Sequence, residues 1–249
     1  MAEPQRDKIR FEPREFRGSR FRCLLATHQS RPRVIAFLNS LVHPVACGGE
    51  GDKFMPEGFG NPDEARLGET PGFLSDEQRR VVTDWWLAKP ETANSPNWDI
   101  VSTCTVNGRK GLLLVEAKAH ASELRANDSC GARDEDNGKK IKGAIADANQ
   151  KLGQGWRLSI DSHYQVSNRF AWACKVASLG VPTVLVYLGF LNAHEMSQPF
   201  ASHSDWERCL LAYADGVVPR TVWNSTQISV SGTPVIPLIR SADVNVTIA

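Results

Sequence analysis

Apolar positions along this chain recur at changing periods, and those changes mark its elements. Residues 99–106 are rich in Val, Thr and Ile, and residues 111–115 form the continuous run Gly-Leu-Leu-Leu-Val. Asn107-Gly108 between them is a strong hairpin signal, so the two segments read as paired strands. A two-residue turn would pair Val106 with Arg109 and set Asp99 opposite Glu116. A four-residue turn would pair Val106 with Gly111 and set Asp99 opposite Lys118. In either register Asp99 lies beside Glu116 and Lys118, which share one face because strand side chains repeat every two residues.

Helical spacing appears on both sides of the hairpin. Residues 75–87 carry Ser75 and Gln78 at capping-box spacing and place Val81, Val82 and Trp85 on one side. Residues 167–179 repeat Phe170, Ala173, Cys174 and Ala177 at three- and four-residue intervals, with Ser167 placed to cap the start and Gly180 to end it. The run Thr-Val-Leu-Val-Tyr-Leu-Gly-Phe at 183–190 follows and predicts a strand buried on both faces. Strand, helix and strand in that order predict a parallel crossover. Residues 121–163 form an insertion ahead of the crossover helix. Its first half, charged and turn-rich through Gly138, predicts a mobile loop. Residues 141–152 set Ile141, Ala144, Ile145, Ala148 and Leu152 on one helical stripe. Lys139, Lys140 and Lys142 would stand at the start of that helix and oppose its dipole, which favours a phosphate-facing role for them. Residues 205–214 read as a short helix, and 222–239 as one or two strands about Ser231-Gly232-Thr233. Trp85, Trp86 and Trp172 are expected in the core.

Charged side chains at the end of a buried strand need a reason. Glu116 and Lys118 close an apolar run, where desolvation is costly unless they are paired or hold a cation. One reading is a structural ion pair. The other is a divalent-metal site, in which carboxylate oxygens of Asp99 and Glu116 hold Mg²⁺ and Lys118 stands as a point charge beside the reacting centre.

An Asp, a hairpin and then hydrophobic-hydrophobic-Glu-x-Lys resembles the PD-(D/E)XK, or restriction-endonuclease-like, nuclease superfamily. Its leading Pro-Asp is not literal here, since Asp99 follows Trp98 and the nearest proline is Pro96. The resemblance runs from about residue 70 to 191 and implies an α/β fold: a restriction-endonuclease-like core with a mixed central sheet flanked by helices, plus N- and C-terminal additions. It divides the chain into a basic arm and extension at 1–69, the core at 70–191 with its insertion at 121–163, and a C-terminal helix and strands at 192–249 packing on the core. That superfamily usually places a strand between its first core helix and the Asp-bearing strand. Residues 89–98 hold two prolines and little β-branched content, so that strand is either absent or drawn from elsewhere in the chain. The resemblance further implies Mg²⁺- or Mn²⁺-dependent hydrolysis of nucleic acid, DNA favoured. Asp99, Glu116 and the backbone carbonyl of Ala117 would hold the metal, and Lys118 would act on the attacking water. A further acid is often supplied from the first helix, where Glu77 stands, with Glu69 as a competing donor. Gln165 and Arg169 at the start of the crossover helix are further candidates. The alternative is the same fold retained as a nucleic-acid or protein binding module without turnover.

Composition narrows this picture. With 249 residues and 41% hydrophobic content the chain can bury one sizeable core with additions. It has no run of membrane-spanning length and no signal-peptide hydrophobic region, so a soluble cytoplasmic protein with no membrane partner is expected. Six scattered cysteines without a C-x-x-C pair suggest neither a disulfide framework nor a zinc module, although His43 and Cys47 have ligand-like spacing. Net charge is only +1, but it is unevenly spread. Residues 1–33 hold nine cations against four acids, and residues 50–77 hold two cations against eight acids. In the basic arm Arg10, Arg14, Arg17, Arg20 and Arg22 interleave with Phe11, Phe16 and Phe21, which suits phosphate contact with base stacking or, equally, a tail packing its aromatics on the domain. The C-terminal strands would extend the sheet or carry an interface, so a homodimer is compatible with the pattern.

Overall fold

The computed structural model describes residues 17–224 and 227–246. In chain order its main elements are helices α1 (Gly18–Thr27) and α2 (Arg31–Val42), strands β1 (Ala46–Cys47), β2 (Phe54–Met55) and β3 (Ala65–Arg66), and helix α3 (Asp76–Trp86). Strands β4 (Asn97–Trp98), β5 (Ile100–Val106) and β6 (Arg109–Lys118) come next, followed by helices α4 (Glu135–Leu152) and α5 (Tyr164–Ser178). Strand β7 (Thr183–Leu191), helix α6 (His203–Tyr213) and strands β8 (Ile228–Val230) and β9 (Thr233–Asp243) complete the chain.

The hairpin takes the two-residue register. Val106 pairs with Arg109 and Ile100 with Val115. Asn107 and Gly108 both have positive φ, 49° and 74°, the turn whose twist matches that of the flanking strands. The next position along therefore sets Asp99 opposite Glu116. Ser231-Gly232 repeats the device between β8 and β9, with φ of 50° and 77°.

The strands build an α/β fold around one mixed sheet in the order β1-β5-β6-β7-β9-β8, with β2 also pairing to β5. β7 runs parallel to both β6 and β9; the remaining ladders are antiparallel. Alternate side chains feed two cores. Leu112, Leu114, Leu185, Tyr187 and Ile239 pack under Trp86, Phe170, Trp172 and Trp206 from α3, α5 and α6. Leu113, Val115, Val186, Leu188 and Ile236 pack on the other side against Cys23, Val34, Leu38 and Leu41 from α1 and α2. By the same alternation Glu116 and Lys118 fall on the face that α5 covers. Residues 89–98 hold only the two-residue β4, which pairs with β3, and the places beside β5 are taken by β1 and β2, which precede α3.

Several local expectations need correction. Helix α3 has its capping box, Ser75 with Gln78, but buries Val82 and Trp86 while Val81 is exposed. The three tryptophans share one cluster, with Trp85 only partly buried and centroid separations of 5.3–5.7 Å. Helix α5 starts at Tyr164, so Ser167 is buried inside it and accepts a hydrogen bond from the Ser159 amide. Its opening amides are instead capped by Asp128 of the insertion, whose carboxylate accepts from Tyr164 N at 2.9 Å and Gln165 N at 2.8 Å. Helix α4 starts at Glu135 behind the Asp134 cap, with Glu135 and Asp136 in its first turn. Lys139 lies a turn further on and pairs with Glu135 at 2.7 Å, so the dipole no longer argues for a phosphate role. Arg10, Arg14, Phe11 and Phe16 lie outside the described residues. Arg17 and Arg20 are exposed, whereas Phe21 and Arg22 are buried, and Arg22 is paired with Glu195. All six thiols are free. Among the described residues no helix is long and apolar enough to cross a membrane.

Helix α6 is seated by a missing side chain. Gly189 on β7 pairs with Lys118, and a Cβ there would fall 2.4 Å from Cγ of Trp206. Gly189→Ala should therefore destabilise the fold by about 1–3 kcal/mol through overpacking, read as a lower urea midpoint. An unchanged midpoint would mean that α6 is not held against the end of β7.

Candidate functional site

The buried end of β6 carries a three-membered ion cluster. Glu116 is 2% exposed and Lys118 6%. Lys118 Nζ donates to Glu116 Oε1 at 2.5 Å, and Arg169 Nε of α5 donates to Oε2 at 2.5 Å. Arg169 is itself held by Asn168 Oδ1, at 3.1 Å from Nη1, and by the Trp98 ring, whose centroid lies 4.5 Å from its guanidinium carbon. Burial alone would raise the Glu116 carboxyl, but Arg169 and Lys118 outweigh it and push the pKa down to about 2. Lys118 and Arg169 are raised in turn: burial opposes their charge, but Glu116 and Asp99 prevail. All three groups stay ionised at neutral pH.

Asp99 stands next to them under opposite conditions. It is half-buried, and its Oδ2 accepts the Ala117 amide at 2.7 Å. Since a strand residue's N–H and C=O share an edge, the Ala117 carbonyl faces the same notch. Burial raises the Asp99 carboxyl to about 8, helped by Glu116 and Glu64 and opposed by Lys118 and the Ala117 amide. With both cations drawn to Glu116, Asp99 is left holding a proton. A carboxyl whose pKa is raised by burial and by neighbouring carboxylates is one that a divalent cation would ionise. The donor chemistry at Asp99 and Ala117 therefore fits a hard cation, while Glu116, with one cation on each oxygen, would join through a remaining lone pair or by releasing one of those cations. Among the described residues no group of three or more His, Cys, Asp or Glu side chains is arranged to hold a metal ion.

The sequence-derived candidates divide clearly. Asp99, Glu116, Lys118 and Arg169 converge. Gln165 lies one turn before Arg169 and lines the same cleft, of about 630 Å³, as Asn168 and Arg169. Glu77 is exposed at the start of α3, and its neighbour Gln78 reaches Leu179 O at 3.4 Å. That contact puts the start of α3 beside the residues leading into β7, at the opposite end of the parallel strands from Glu116. Glu69 is committed elsewhere, to Arg66 at 3.0 Å and to Ser95 at 3.2 Å. The acid that sequence reasoning missed is Glu64. Pairing of Ala65 with Trp98 sets Glu64 beside Asp99 one position on, and its charge adds to the rise at Asp99. A two-residue strand carries no alternation to reveal it.

No protein-family model, curated protein or solved structure matches this chain. The site must therefore be read from its own chemistry.

Two outcomes follow. Glu116→Ala leaves Lys118 and Arg169 buried without a counter-ion and should cost about 3–5 kcal/mol, whereas Lys118→Met leaves Glu116 its arginine and should cost clearly less. Paired urea titrations check this, and equal losses would dissolve the cluster as a unit. For Asp99, the folded carboxyl titrates near 8 and the unfolded one near about 3.9, so the native state binds more protons between those values. Stability in metal-free buffer should thus fall as pH rises from about 4 to about 8. Asp99→Asn removes that loss and should raise Tm at pH 8 by about 2–4 °C or more, the equivalent of ~1 kcal/mol in a domain of this size, with the gap closing toward pH 4. A gap independent of pH would refute the assignment.

Proposed function

We propose that this chain has a restriction-endonuclease-like core and is a Mg²⁺-dependent nuclease that hydrolyses phosphodiester bonds of nucleic acid, DNA being the expected substrate. The observation that carries this reading is the convergence of Asp99, Glu116 and Lys118 on one strand end that opens beside a cleft. Asp99, Glu116 and the Ala117 carbonyl would hold Mg²⁺ or Mn²⁺. Such an ion, when bound, lowers the pKa of a coordinated water and takes up charge developing on the phosphoryl oxygens.

The chain's own groups do the rest. Lys118 is held as an ammonium by Glu116 and Asp99, which suits it to donate to a phosphate oxygen or orient the attacking water rather than to remove its proton. Arg169 offers a planar fork that matches a phosphate once it leaves Glu116. Asp99, whose carboxyl is raised, would have to release its proton to hold the ion, so ion binding should strengthen as pH rises.

A second reading has an observation of its own. The Arg169–Glu116 pair occupies the carboxylate that a metal would share, which favours a nucleic-acid or protein binding module of the same fold without turnover.

Asp99→Ala and Lys118→Ala should each reduce Mg²⁺-stimulated DNA cleavage by ~100-fold or more with the circular dichroism spectrum unchanged. Wild-type activity in either variant would sink the nuclease reading. Binding of nucleic acid by the unaltered chain, without cleavage in Mg²⁺ or Mn²⁺ across single-stranded, duplex and branched DNA and RNA, would establish the module instead.

A further inference from the structure

Beside the ion cluster lies the cleft formed by residues 93–97, residues 128–132 of the insertion and the start of α5. Three charged side chains line it, and each already has partners within the protein. Arg66 is held by Glu69 at 3.0 Å and by Asn97 Oδ1. Arg169 is held by Glu116, and both Asp128 oxygens cap α5. The cleft is therefore no seat for a free phosphate or a metal ion. What it leaves open is neutral and hydrogen-bonding. Among the described residues, the side chains of Asn94, Ser129 and Gln165 have no hydrogen-bond partner, and Asn97 and Asn168 use only their carbonyl oxygens. Amides and a hydroxyl offer donors and acceptors together, the complement of a nucleobase edge.

Position sharpens the match. Arg169 and Asn168 form the wall nearest Glu116, so a base in the cleft would lie next to a phosphate at the Asp99 notch. On the far side of Asn97 and Arg66, which line both, a second cleft of about 620 Å³ carries Arg20, Asp63, Glu64 and Glu69. The two clefts therefore adjoin beside β3 and β4. Inside a duplex the Watson–Crick edges are occupied by the partner strand, so only an unpaired base can turn that edge toward the amides of the cleft. The volume, about 630 Å³, is within the range of small-ligand pockets and suits one or two nucleotides, not a double helix.

We infer that this amide-lined cleft seats an unpaired nucleobase, and that the substrate is single-stranded nucleic acid or a single-stranded tail. The inference rests on the nuclease reading for the seat of the phosphate, and recognition of the base is a separate property. Gln165 and Asn94 supply the edge contacts, the partly exposed ring of Tyr164 a stacking surface.

Fluorescence anisotropy of the full chain in metal-free buffer, with a labelled single-stranded oligodeoxynucleotide and the same sequence as a blunt duplex, tests it. The single strand should bind at least about tenfold more tightly. The Asn94→Ala/Gln165→Ala double variant should lose about tenfold in single-strand affinity, with little change for the duplex. These side chains hold nothing else in place, so the variant should fold normally. Ser129→Tyr, which fills the cleft, should act in the same direction. Equal affinity for duplex and single strand, no binding to either, or wild-type single-strand affinity in the double variant would each overturn the assignment. Cleavage of the same oligonucleotides with added Mg²⁺ is scored separately. Amide-dependent single-strand binding without cleavage leaves the base cleft standing and removes the nuclease. Cleavage without strand preference does the reverse.

Discussion

A carboxylate buried at the end of a strand sets the terms for the rest of this molecule. Unpaired, Glu116 would cost several kcal/mol in a site with 2% exposure. Its two oxygens take one cation each. The lysine comes from the strand itself, since residues two apart share a face. The arginine demands more, because it must arrive from α5 at the right height and angle. Asp128 caps the helix at Tyr164 and Gln165, and His163 enters it with φ of 49°, which places Arg169 in the helix's second turn, against the strand end. The guanidinium then lies over the Trp98 ring. A loop cap, a two-residue strand and a helix thus all serve one ion cluster.

The same arrangement explains why two neighbouring carboxyls behave in opposite ways. Glu116 collects both cations and is driven down to about 2, whereas Asp99 receives one backbone amide and is driven up to about 8. Pairs of acids whose surroundings push their pKa values apart are the usual way in which one site keeps a charged and a neutral group at the same pH. Here the divergence follows from geometry alone. Glu116 projects toward α5, while Asp99 takes the Ala117 amide at the edge of β6, where burial together with Glu116 and Glu64 outweighs Lys118.

Much of this was legible in the sequence because it rests on short periods. Asn107-Gly108 specified the hairpin, and period-two alternation put Glu116 and Lys118 on one face beside Asp99. The buried run at 183–190, the Ser75 capping box and the turn at Ser231-Gly232 were equally local. What could not be read depended on distant partners. Ser167 looked like a cap because it preceded an apolar stripe, but the cap is supplied by Asp128, 36 positions before Tyr164. Helix α4 looked as if it started among lysines because its apolar stripe begins at Ile141, yet Asp134, Glu135 and Asp136 satisfy its opening turn. Glu64 escaped notice because the ladder that brings it to Asp99 is two residues long. Glu77 attracted attention through its position on a helix, but the end of α3 that carries it points away from the site.

Arg169 is where the two functional readings part. It is the cation that neutralises Glu116 and the residue joining the ion cluster to the amide-lined cleft. A divalent ion held by Asp99 and Ala117 would compete with it for Glu116, and the exchange would swap one positive partner for another, so the carboxylate would not be left buried alone. A guanidinium so displaced would still have the Trp98 ring beside it, at the mouth of the cleft, where a phosphate entering beside a seated base would meet it. If the pair holds instead, the cleft keeps its neutral lining and the chain can bind an unpaired strand without acting on it. On these two readings turnover and simple binding would differ by the partner of a single arginine.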